Sequence, residues 1–315
     1  MSKSAIETLR ETVRGTTQLN APMQTLTSIR IGGPADILIR PADREDLSEV
    51  LKFLHSREIA VQPLGNGSAT LVRDNGIRGA VVDLREGFTG ISAAPDWTGA
   101  PRLKAEAGVQ LSDLTEWCMQ NGMGGLEFLS GIPGTVGGAV VMNAQGWGGT
   151  VGDRLIEVEA MDPMGNIHTL DKSILNLGKR SSKIAAGFTI ISAIFRGDLK
   201  EPSQVETMVR NFAIRRRSNY PTTDAALGMV FRDVGEDPVE KLIEACGLKG
   251  IRVGDAEVSR LNSNFIVNLG HAEAGNVVSL IGMIQERVYV RHKIKLETAI
   301  TIVGSWQKDK MRIKH

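Results

Sequence analysis

The sequence predicts an α+β protein with a separate module near its C-terminal end. Segments with helical apolar spacing are mixed with short apolar strands, and two glycine-rich stretches interrupt them. A polar, turn-like segment at residues 220–224 predicts a domain junction, and helices and strands begin again after it. A chain of 315 residues is long enough for two or three domains with a sizeable core.

Six segments carry apolar residues at helical spacing, and each is predicted to form a helix with one buried face. The clearest is 276–292, where Val277, Leu280 and Ile284 recur every three or four residues. Gly247 follows another of these segments and is predicted to end its helix. The predicted helices cover residues 4–13, 43–55, 111–121, 202–217, 238–246 and 276–292.

Short apolar runs between these segments predict the strands. Gly32, Gly33 and Pro34 divide residues 26–38 into two strands, and the turn at 163–165 separates 155–162 from 167–170. The other predicted strands cover residues 59–64, 79–84, 103–107, 188–195, 229–231, 265–267 and 296–303.

The composition narrows the functional class. Lys and Arg number 37 and Asp and Glu 36, so the charge balance does not favour nucleic acid or an anionic membrane as a partner. The local basic run 215–217 is interpreted as a solvated helix end.

Cys118 and Cys246 lie far apart in apolar helical patterns, so we expect reduced thiols and no metal site. The N-terminal segment lacks a signal peptide's apolar core, and no apolar run approaches the ~18 residues that span a bilayer. We therefore expect a soluble, cytoplasmic protein.

The glycine-rich stretch 124–149 is the most informative part of the chain. Short apolar pieces lie between its glycines, which indicates an ordered loop at the edge of a core rather than a linker. Glycine lets a backbone approach a ligand closely, and the free N–H groups of such a loop can hold an anion. A second loop, Gly65-Asn66-Gly67-Ser68, follows a predicted strand and can bind phosphate in the same way. It lacks the third glycine and the long helix of a dinucleotide fingerprint. Ordinary turns are the alternative for both loops.

Four motifs then occur in a specific order along residues 20–305. They are IGGPA at 31–35, LGNGS at 64–68, GIPGTVGG at 131–138 with MNA at 142–144, and GLKG at 247–250 followed by NFIVN at 264–268. The family that they resemble is the flavin-dependent UDP-N-acetylenolpyruvoylglucosamine reductases of peptidoglycan precursor synthesis. The resemblance implies two FAD-binding subdomains of the vanillyl-alcohol-oxidase/PCMH type, at 20–84 and at 85–219 completed by a strand at 296–305. It also implies an α+β substrate domain at 220–295.

The same resemblance implies that the two glycine loops hold the FAD pyrophosphate and flank the isoalloxazine ring. Ala69 stands where the family usually has Asn, and we expect weaker flavin binding from this change. Trp147, near the end of the 124–149 stretch, could be only a turn residue that closes the loop, but its position beside the predicted flavin-binding residues favours a further role. The cofactor-binding residues implied are Gly65, Asn66, Gly67, Ser68, Ala69, Gly131, Ile132, Pro133, Gly134, Thr135, Gly137, Gly138 and Asn143.

In the family reaction NADPH reduces FAD, and the flavin passes a hydride to the β-carbon of an enolpyruvyl group. An Arg and a Glu stabilise the resulting enolate, and a Ser protonates the α-carbon. By the motifs, Arg180 stands at the position of that Arg. The Ser position holds Met229, whose thioether has no acidic hydrogen, and the Glu position holds Ala299.

Neighbouring residues are poor substitutes for these groups. In a regular strand Glu297 would share a face with Ala299 but lie about 6.6 Å away, beyond hydrogen-bonding reach. Ser181 and Ser182 flank Arg180, but nothing places them over the substrate. Lys179 replaces the family's usual Tyr, and Asp233, often Asn, would bring negative charge towards a diphosphate.

Three functions stay open at this stage. The first is a flavin-binding protein that has lost the reaction, a pseudoenzyme that would act as a regulator, a protein partner or a sensor. The second is an active NADPH- and FAD-dependent reductase of a UDP-sugar, using altered donors. The third is a flavoenzyme with another substrate, because fold does not fix function.

Overall fold

In the computed structural model, residues 3–95, 99–184, 187–222, 225–235 and 238–305 are described. They form two compact units. The larger unit contains the described residues of 1–18, 37–66 and 79–222, and the smaller unit those of 19–36, 67–78 and 223–315. The predicted junction at 220–224 includes residues 223 and 224, which lie outside the described residues. The predicted domain boundaries stay predictions.

All six predicted helices are present, with ends that differ by a few residues. Two further helices, α4 and α5, were not predicted because one contains two glycines and the other is a single turn. No helix in the described ranges combines the length and the apolar character needed to cross a membrane. The helices are α1 (Lys3–Thr12), α2 (Arg44–Ser56), α3 (Leu111–Gln120), α4 (Val136–Val141), α5 (Val151–Arg154), α6 (Pro202–Asn219), α7 (Val239–Ala245) and α8 (Ala274–His292).

Most of the strands are short, and many of them pair with a single neighbouring strand. In chain order they are β1 (Thr16–Pro22), β2 (Pro34–Arg40), β3 (Val61–Leu64), β4 (Thr70–Val72), β5 (Ile77–Asp83), β6 (Ile91–Ala94), β7 (Arg102–Glu106), β8 (Met123–Gly124), β9 (Gln145–Gly146), β10 (Gly149–Thr150), β11 (Leu155–Met161), β12 (Ile167–Asp171), β13 (Thr189–Arg196), β14 (Asp198–Leu199), β15 (Ala226–Gly228), β16 (Arg252–Val253), β17 (Ala256–Val258), β18 (Phe265–Asn268) and β19 (Thr301–Val303).

Three sheets of four or five strands contain thirteen of these strands, and the other six strands form two-stranded pairs. The largest has the order β12-β11-β13-β7-β6, and all its neighbouring strands are antiparallel. A four-stranded sheet has the order β1-β2-β5-β3, with β3 and β5 parallel. The third, β15-β18-β17-β16, belongs to the smaller unit and is antiparallel.

In the core of the larger unit, one face of the five-stranded sheet packs against α3. Leu103 and Ala105 of β7 and Val158 of β11 share this core with Leu114 and Cys118 of α3. Burial and the nearby charge of Glu127 raise the pKa of the Cys118 thiol to about 12. Cys118 is therefore an unreactive core residue, as the sequence predicts.

The core of the smaller unit is built around α8. Its predicted inner residues Val277, Leu280 and Ile284 are buried, and they pack with residues of β17 and β18. Ile29 and Leu71, which are far away in sequence, belong to the same core.

Three predicted strands are wrong or displaced. Residues 26–31 are turns, because the Thr27 hydroxyl bonds the backbone of Ile31 and so replaces a strand ladder locally. In the C-terminal module the strand is β15 rather than 229–231, since Met229 has a left-handed φ of +50°. The predicted strand at 296–303 is regular only over β19. It pairs with β4, within residues 20–84, whereas we expected it to complete 85–219.

Candidate functional site

The 131–138 loop is tied to the segment before α3. Leu111 donates to the Gly134 carbonyl and Val136 to the Val109 carbonyl, each at 2.9 Å. Gly137 donates to the Ala107 carbonyl, and a Cβ at position 137 would lie 3.0 Å from the Ala107 Cβ. The loop is therefore held close against a backbone that leaves little room for a side chain.

This loop also has backbone N–H groups that are not hydrogen-bonded within the described residues. Thr135 caps α4 by accepting a hydrogen bond from the Gly138 N–H at 3.3 Å. The N–H groups of Gly134 and Thr135 have no acceptor among the described residues. Gly131, at the start of the loop, has a φ of +70°, which favours glycine. Such unpaired amides can hold an anion.

The first half of the other glycine loop lies against this one within the larger unit. A Cβ at Gly65 would meet the Thr135 Oγ1 at 2.5 Å, so a side chain there would clash. The Asn66 amide exchanges two hydrogen bonds with the Gln110 amide, at 2.6 and 3.1 Å. Gln110 in turn forms a backbone bridge with Thr135. The structure thus brings together Gly65, Asn66 and Thr135, which the sequence analysis grouped without geometry.

The second half of that loop belongs to the smaller unit. Gly67 has a φ of +61°, and the N–H groups of Gly67 and Ser68 have no acceptor among the described residues. The Ser68 carbonyl accepts from Gly228 at 3.4 Å, and the Ala69 carbonyl accepts from Thr301 at 2.9 Å. This half therefore runs beside the segments that carry positions 229 and 299.

The Asn143 side chain is hydrogen-bonded to two backbone groups. Its side chain donates to the Gly178 carbonyl and accepts from the Gly152 N–H, both at 2.8 Å, and the residue is 7% exposed. Gly178 begins the tight turn that carries Arg180, closed by a 2.9 Å hydrogen bond from Gly178 to the Ser181 carbonyl. Asn143 thus positions the Arg180 turn through Gly178.

Arg180 itself is half-buried and has a left-handed φ of +51°. The neighbouring Ser182 hydroxyl donates to the Val141 carbonyl at 2.8 Å, so that hydroxyl is occupied by the backbone. Lys179, which replaces the family's usual Tyr, is exposed.

Sequence reasoning missed Arg216. We interpreted 215–217 as a solvated helix end, which holds for Arg215 and Arg217 but is wrong for Arg216, which is 8% exposed. Arg216 lies on the buried face of α6, seven residues after Val209, and this spacing is the signal that could have revealed it. Its guanidinium packs over the rings of Trp147 and Tyr220, so Trp147 is more than a turn residue.

In the smaller unit, positions 229 and 299 lie on adjacent segments. Ala299 donates to the Val230 carbonyl at 2.8 Å, and Phe231 and Thr298 form an antiparallel bridge. Asn264, fully buried, clamps Phe231 by exchanging two hydrogen bonds with its backbone at 2.8 and 2.9 Å.

The prediction that Glu297 shares a face with Ala299 is wrong. Residues 296–300 do not form a regular strand, so side chains do not alternate strictly along them. Ala299 is 5% exposed, whereas the Glu297 side chain is 75% exposed and pairs with Arg232 at 3.2 Å. The Glu297 carboxylate is therefore paired with Arg232 at the surface and does not share the buried environment of Ala299.

Comparison with known proteins identifies two domains in the chain. Residues 35–171 match the sequence profile of an FAD binding domain, and residues 220–303 match the C-terminal domain of UDP-N-acetylenolpyruvoylglucosamine reductase. These two matches define an FAD-binding protein of PCMH type with an additional C-terminal α+β domain, so the predicted fold class is confirmed.

Relatives extend the likeness over the whole chain. The chain is 38% identical over 298 residues to the UDP-N-acetylenolpyruvoylglucosamine reductase of Syntrophus aciditrophicus, covering 95% of each protein. It is 37% identical to that of Cereibacter sphaeroides, covering 93% of this chain and 96% of the relative. A crystal structure of the Thermus caldophilus reductase superposes with a TM-score of 0.76 at 30% identity, covering 92% of this chain and 99% of that one. The chain belongs to the UDP-N-acetylenolpyruvoylglucosamine reductase family.

Proposed function

We propose that this chain binds FAD and that the family reaction, the NADPH-dependent reduction of a UDP-sugar enolpyruvyl ether, is impaired or lost. The observation that carries the proposal is the pair Met229 and Ala299. These residues stand on adjacent segments where the family resemblance places a proton donor and an enolate-stabilising acid. We further propose a cytoplasmic location.

The residues of the larger unit fit FAD. The Gly134 and Thr135 amides have no acceptor within the described chain, and Gly65 is held where a side chain would clash. A cradle of amides closed to side chains suits a diphosphate. When bound, FAD supplies hydride chemistry between NADPH and an acceptor.

The smaller unit supports the loss of the reaction. Protonation of the α-carbon needs an acidic hydrogen, and neither Met229 nor Ala299 carries one. Three polar neighbours are already committed: Asn264 bonds the Phe231 backbone, the Ser263 hydroxyl donates to the Glu240 carbonyl, and Glu297 pairs with Arg232.

Two alternatives are kept. An active reductase would need a donor outside these neighbours, such as a bound water. A flavoenzyme with another substrate would keep the amide cradle but would reduce a different electron acceptor. If the chain is non-catalytic, it would act as a regulator, a protein partner or a sensor.

Restoring the missing groups tests the proposal directly. The wild-type chain is assayed for flavin absorbance and for NADPH oxidation that depends on UDP-N-acetylglucosamine enolpyruvate. We expect bound flavin and no turnover above background. The double variant Met229→Ser with Ala299→Glu is expected to gain turnover, because it returns a proton donor and an acid.

A matched variant separates chemistry from packing. Met229→Ser with Ala299→Gln has nearly the same volume but no carboxylate, and it should stay below the glutamate variant. Wild-type turnover comparable to that of an intact relative would overturn the proposed loss. Absence of flavin binding would overturn the proposed cofactor. Reduction of the flavin by NADPH without enolpyruvyl turnover would favour the other-substrate alternative.

A further inference from the structure

The smaller unit contains a cleft of about 530 Å³, and all the residues that line it belong to that unit. Its floor includes Val267 of β18 and Glu257 of β17, which are buried and are direct cross-strand partners. Ile266 and Val258, the residues next to them, pack in the core with α8. Because side chains alternate along a strand, the cleft lies on the other face of this sheet. None of the positions assigned above to the cofactor or to the family reaction is among the residues that line it.

Arg30 lines the cleft with an unpaired guanidinium. The side chain is exposed and makes no hydrogen bond or ion pair with any described residue. Its backbone N–H donates to the Thr27 carbonyl at 3.1 Å, and its φ is left-handed at +57°. Glycine or asparagine adopts this conformation at a lower cost, so the turn itself does not explain an arginine. The N–H donors of the Arg30 guanidinium are therefore available to a ligand in the cleft.

The charges of the lining favour an anion. Two cations, Arg30 and Arg260, and one carboxylate, Glu257, line the cleft, so its lining carries a net charge of +1. The Glu257 carboxylate accepts from the Arg260 Nε at 3.2 Å and also pairs with Arg252. Glu257 is thus neutralised by neighbours on its own sheet, and the charge of Arg30 stays uncompensated within the described residues.

A buried hydroxyl adds a second donor. Ser259 lines the cleft and is 3% exposed. Its Oγ accepts from the N–H groups of Leu261 and Asn262 at 3.2 and 3.4 Å, but its hydroxyl hydrogen has no acceptor among the described residues. The two accepted hydrogen bonds polarise the hydroxyl and strengthen it as a donor. A buried donor without an acceptor is unfavourable, so a ligand that brings an acceptor would satisfy it.

The cleft also exposes apolar surface. Leu261 and Leu269 line it and are each 46% exposed, and Val267 lies on the floor between the polar groups. Apolar walls with a few placed donors are typical of sites for organic ligands rather than for inorganic ions.

We propose that this cleft binds a carboxylate that is attached to a branched aliphatic group. A carboxylate accepts paired hydrogen bonds from a guanidinium and a further one from a hydroxyl, which matches Arg30 and Ser259. Leu261 and Leu269 provide the contact for the aliphatic group. Two sources carry this chemistry, a free aliphatic acid such as an acylated amino acid and the C-terminal residue of a polypeptide. The inference does not rest on FAD binding or on the family reaction.

N-acetyl-leucine is the probe, titrated into the purified full-length chain and followed by ligand-observed NMR. We expect a Kd on the order of 1 mM, the range for a ligand of about twelve heavy atoms. N-acetyl-leucinamide lacks the carboxylate and N-acetyl-glycine lacks the aliphatic group, so each should bind roughly tenfold more weakly or worse. An amide that binds as well as the acid would refute the carboxylate. Inorganic phosphate that binds as well as N-acetyl-leucine would refute the aliphatic group.

Substitutions at exposed positions locate the binding. Arg30→Gln should raise the Kd of N-acetyl-leucine roughly tenfold, and Arg30→Lys should recover part of the affinity because it keeps the charge. Arg291→Gln is the matched control, since Arg291 is exposed at the end of α8 and does not line the cleft, and the Kd should not change. Leu269→Ala should weaken N-acetyl-leucine but not N-acetyl-glycine. Thermal unfolding of each variant checks that the fold is kept.

An acetylated tripeptide that ends in leucine with a free carboxylate separates the two sources. It binds more tightly than N-acetyl-leucine if the cleft takes the end of a polypeptide, and more weakly if the cleft takes a free acid. No binding of N-acetyl-leucine at about 20 mM, or an equal Kd for wild type and Arg30→Gln, would overturn the inference. Neither result would bear on the proposed function, because flavin absorbance and enolpyruvyl turnover are measured independently.

Discussion

Replacing Asn143 by alanine is expected to destabilise the larger unit by about 3 kcal/mol. The side chain makes two hydrogen bonds to backbone groups, at 2.8 Å each, in a position that is 7% exposed. Each lost bond contributes about 1 kcal/mol. The residue also has a φ of +40°, and alanine in the left-handed region costs about 1 kcal/mol more.

Glycine at the same position separates these contributions. Asn143→Gly loses both hydrogen bonds but tolerates the left-handed backbone, so we expect a loss of about 2 kcal/mol. Urea unfolding followed by fluorescence gives both values. If the alanine variant is no less stable than the glycine variant, the backbone argument is wrong. If either loses under about 0.5 kcal/mol, the two hydrogen bonds do not hold this turn.

Three further changes have defined expectations. Gly282→Ala, at an exposed position inside α8 with open space around its Cβ, should stabilise the protein by about 1 kcal/mol in thermal unfolding, and a loss would contradict this. Asp74→Ala removes the carboxylate that accepts from the Ala274 and Gly275 N–H groups, and urea unfolding should show about 1 kcal/mol lost, with Asp74→Asn losing less. Partial burial acts to raise the pKa of Glu159, but hydrogen bonds from Lys104, Ser192 and Arg44 lower it to about 2. The ionised carboxylate therefore stabilises the fold fully above pH ~4.5, and this contribution is lost as the pH falls towards 2. The stability difference between wild type and Glu159→Gln should shrink over that range, and a constant difference would contradict the assignment.

Much of the fold could be predicted because periodicity reports burial. The apolar spacing in 276–292 identified α8 and its inner residues, and these are buried. The failures occur where short-range hydrogen bonds or left-handed residues override the pattern. Thr27 closes a turn in an apolar run, and Met229 interrupts another with a positive φ.

The predicted site residues stay predictions, and their contacts could not be predicted from the sequence. Motif order grouped Gly65 with Thr135, and the structure places them in contact within the larger unit. The burial of Arg216 depends on rings at Trp147 and Tyr220, and a local charge pattern carries no information about them. Asn143 stays a predicted cofactor-binding residue, and the sequence did not reveal that its side chain bonds the backbone of Gly178 and Gly152.

The smaller unit is assembled from three separate stretches of the chain. Ile29 and Leu71, from the two early stretches, are part of the same core as Leu280 of α8, and Asp74 caps that helix. During synthesis these early residues stay without their partners until the ribosome has released nearly the entire polypeptide. A fragment that begins at the predicted junction, residues 220–224, would lack Ile29, Leu71 and Asp74 and would expose the apolar residues that they contact. The smaller unit therefore cannot be expressed as one continuous fragment of the chain.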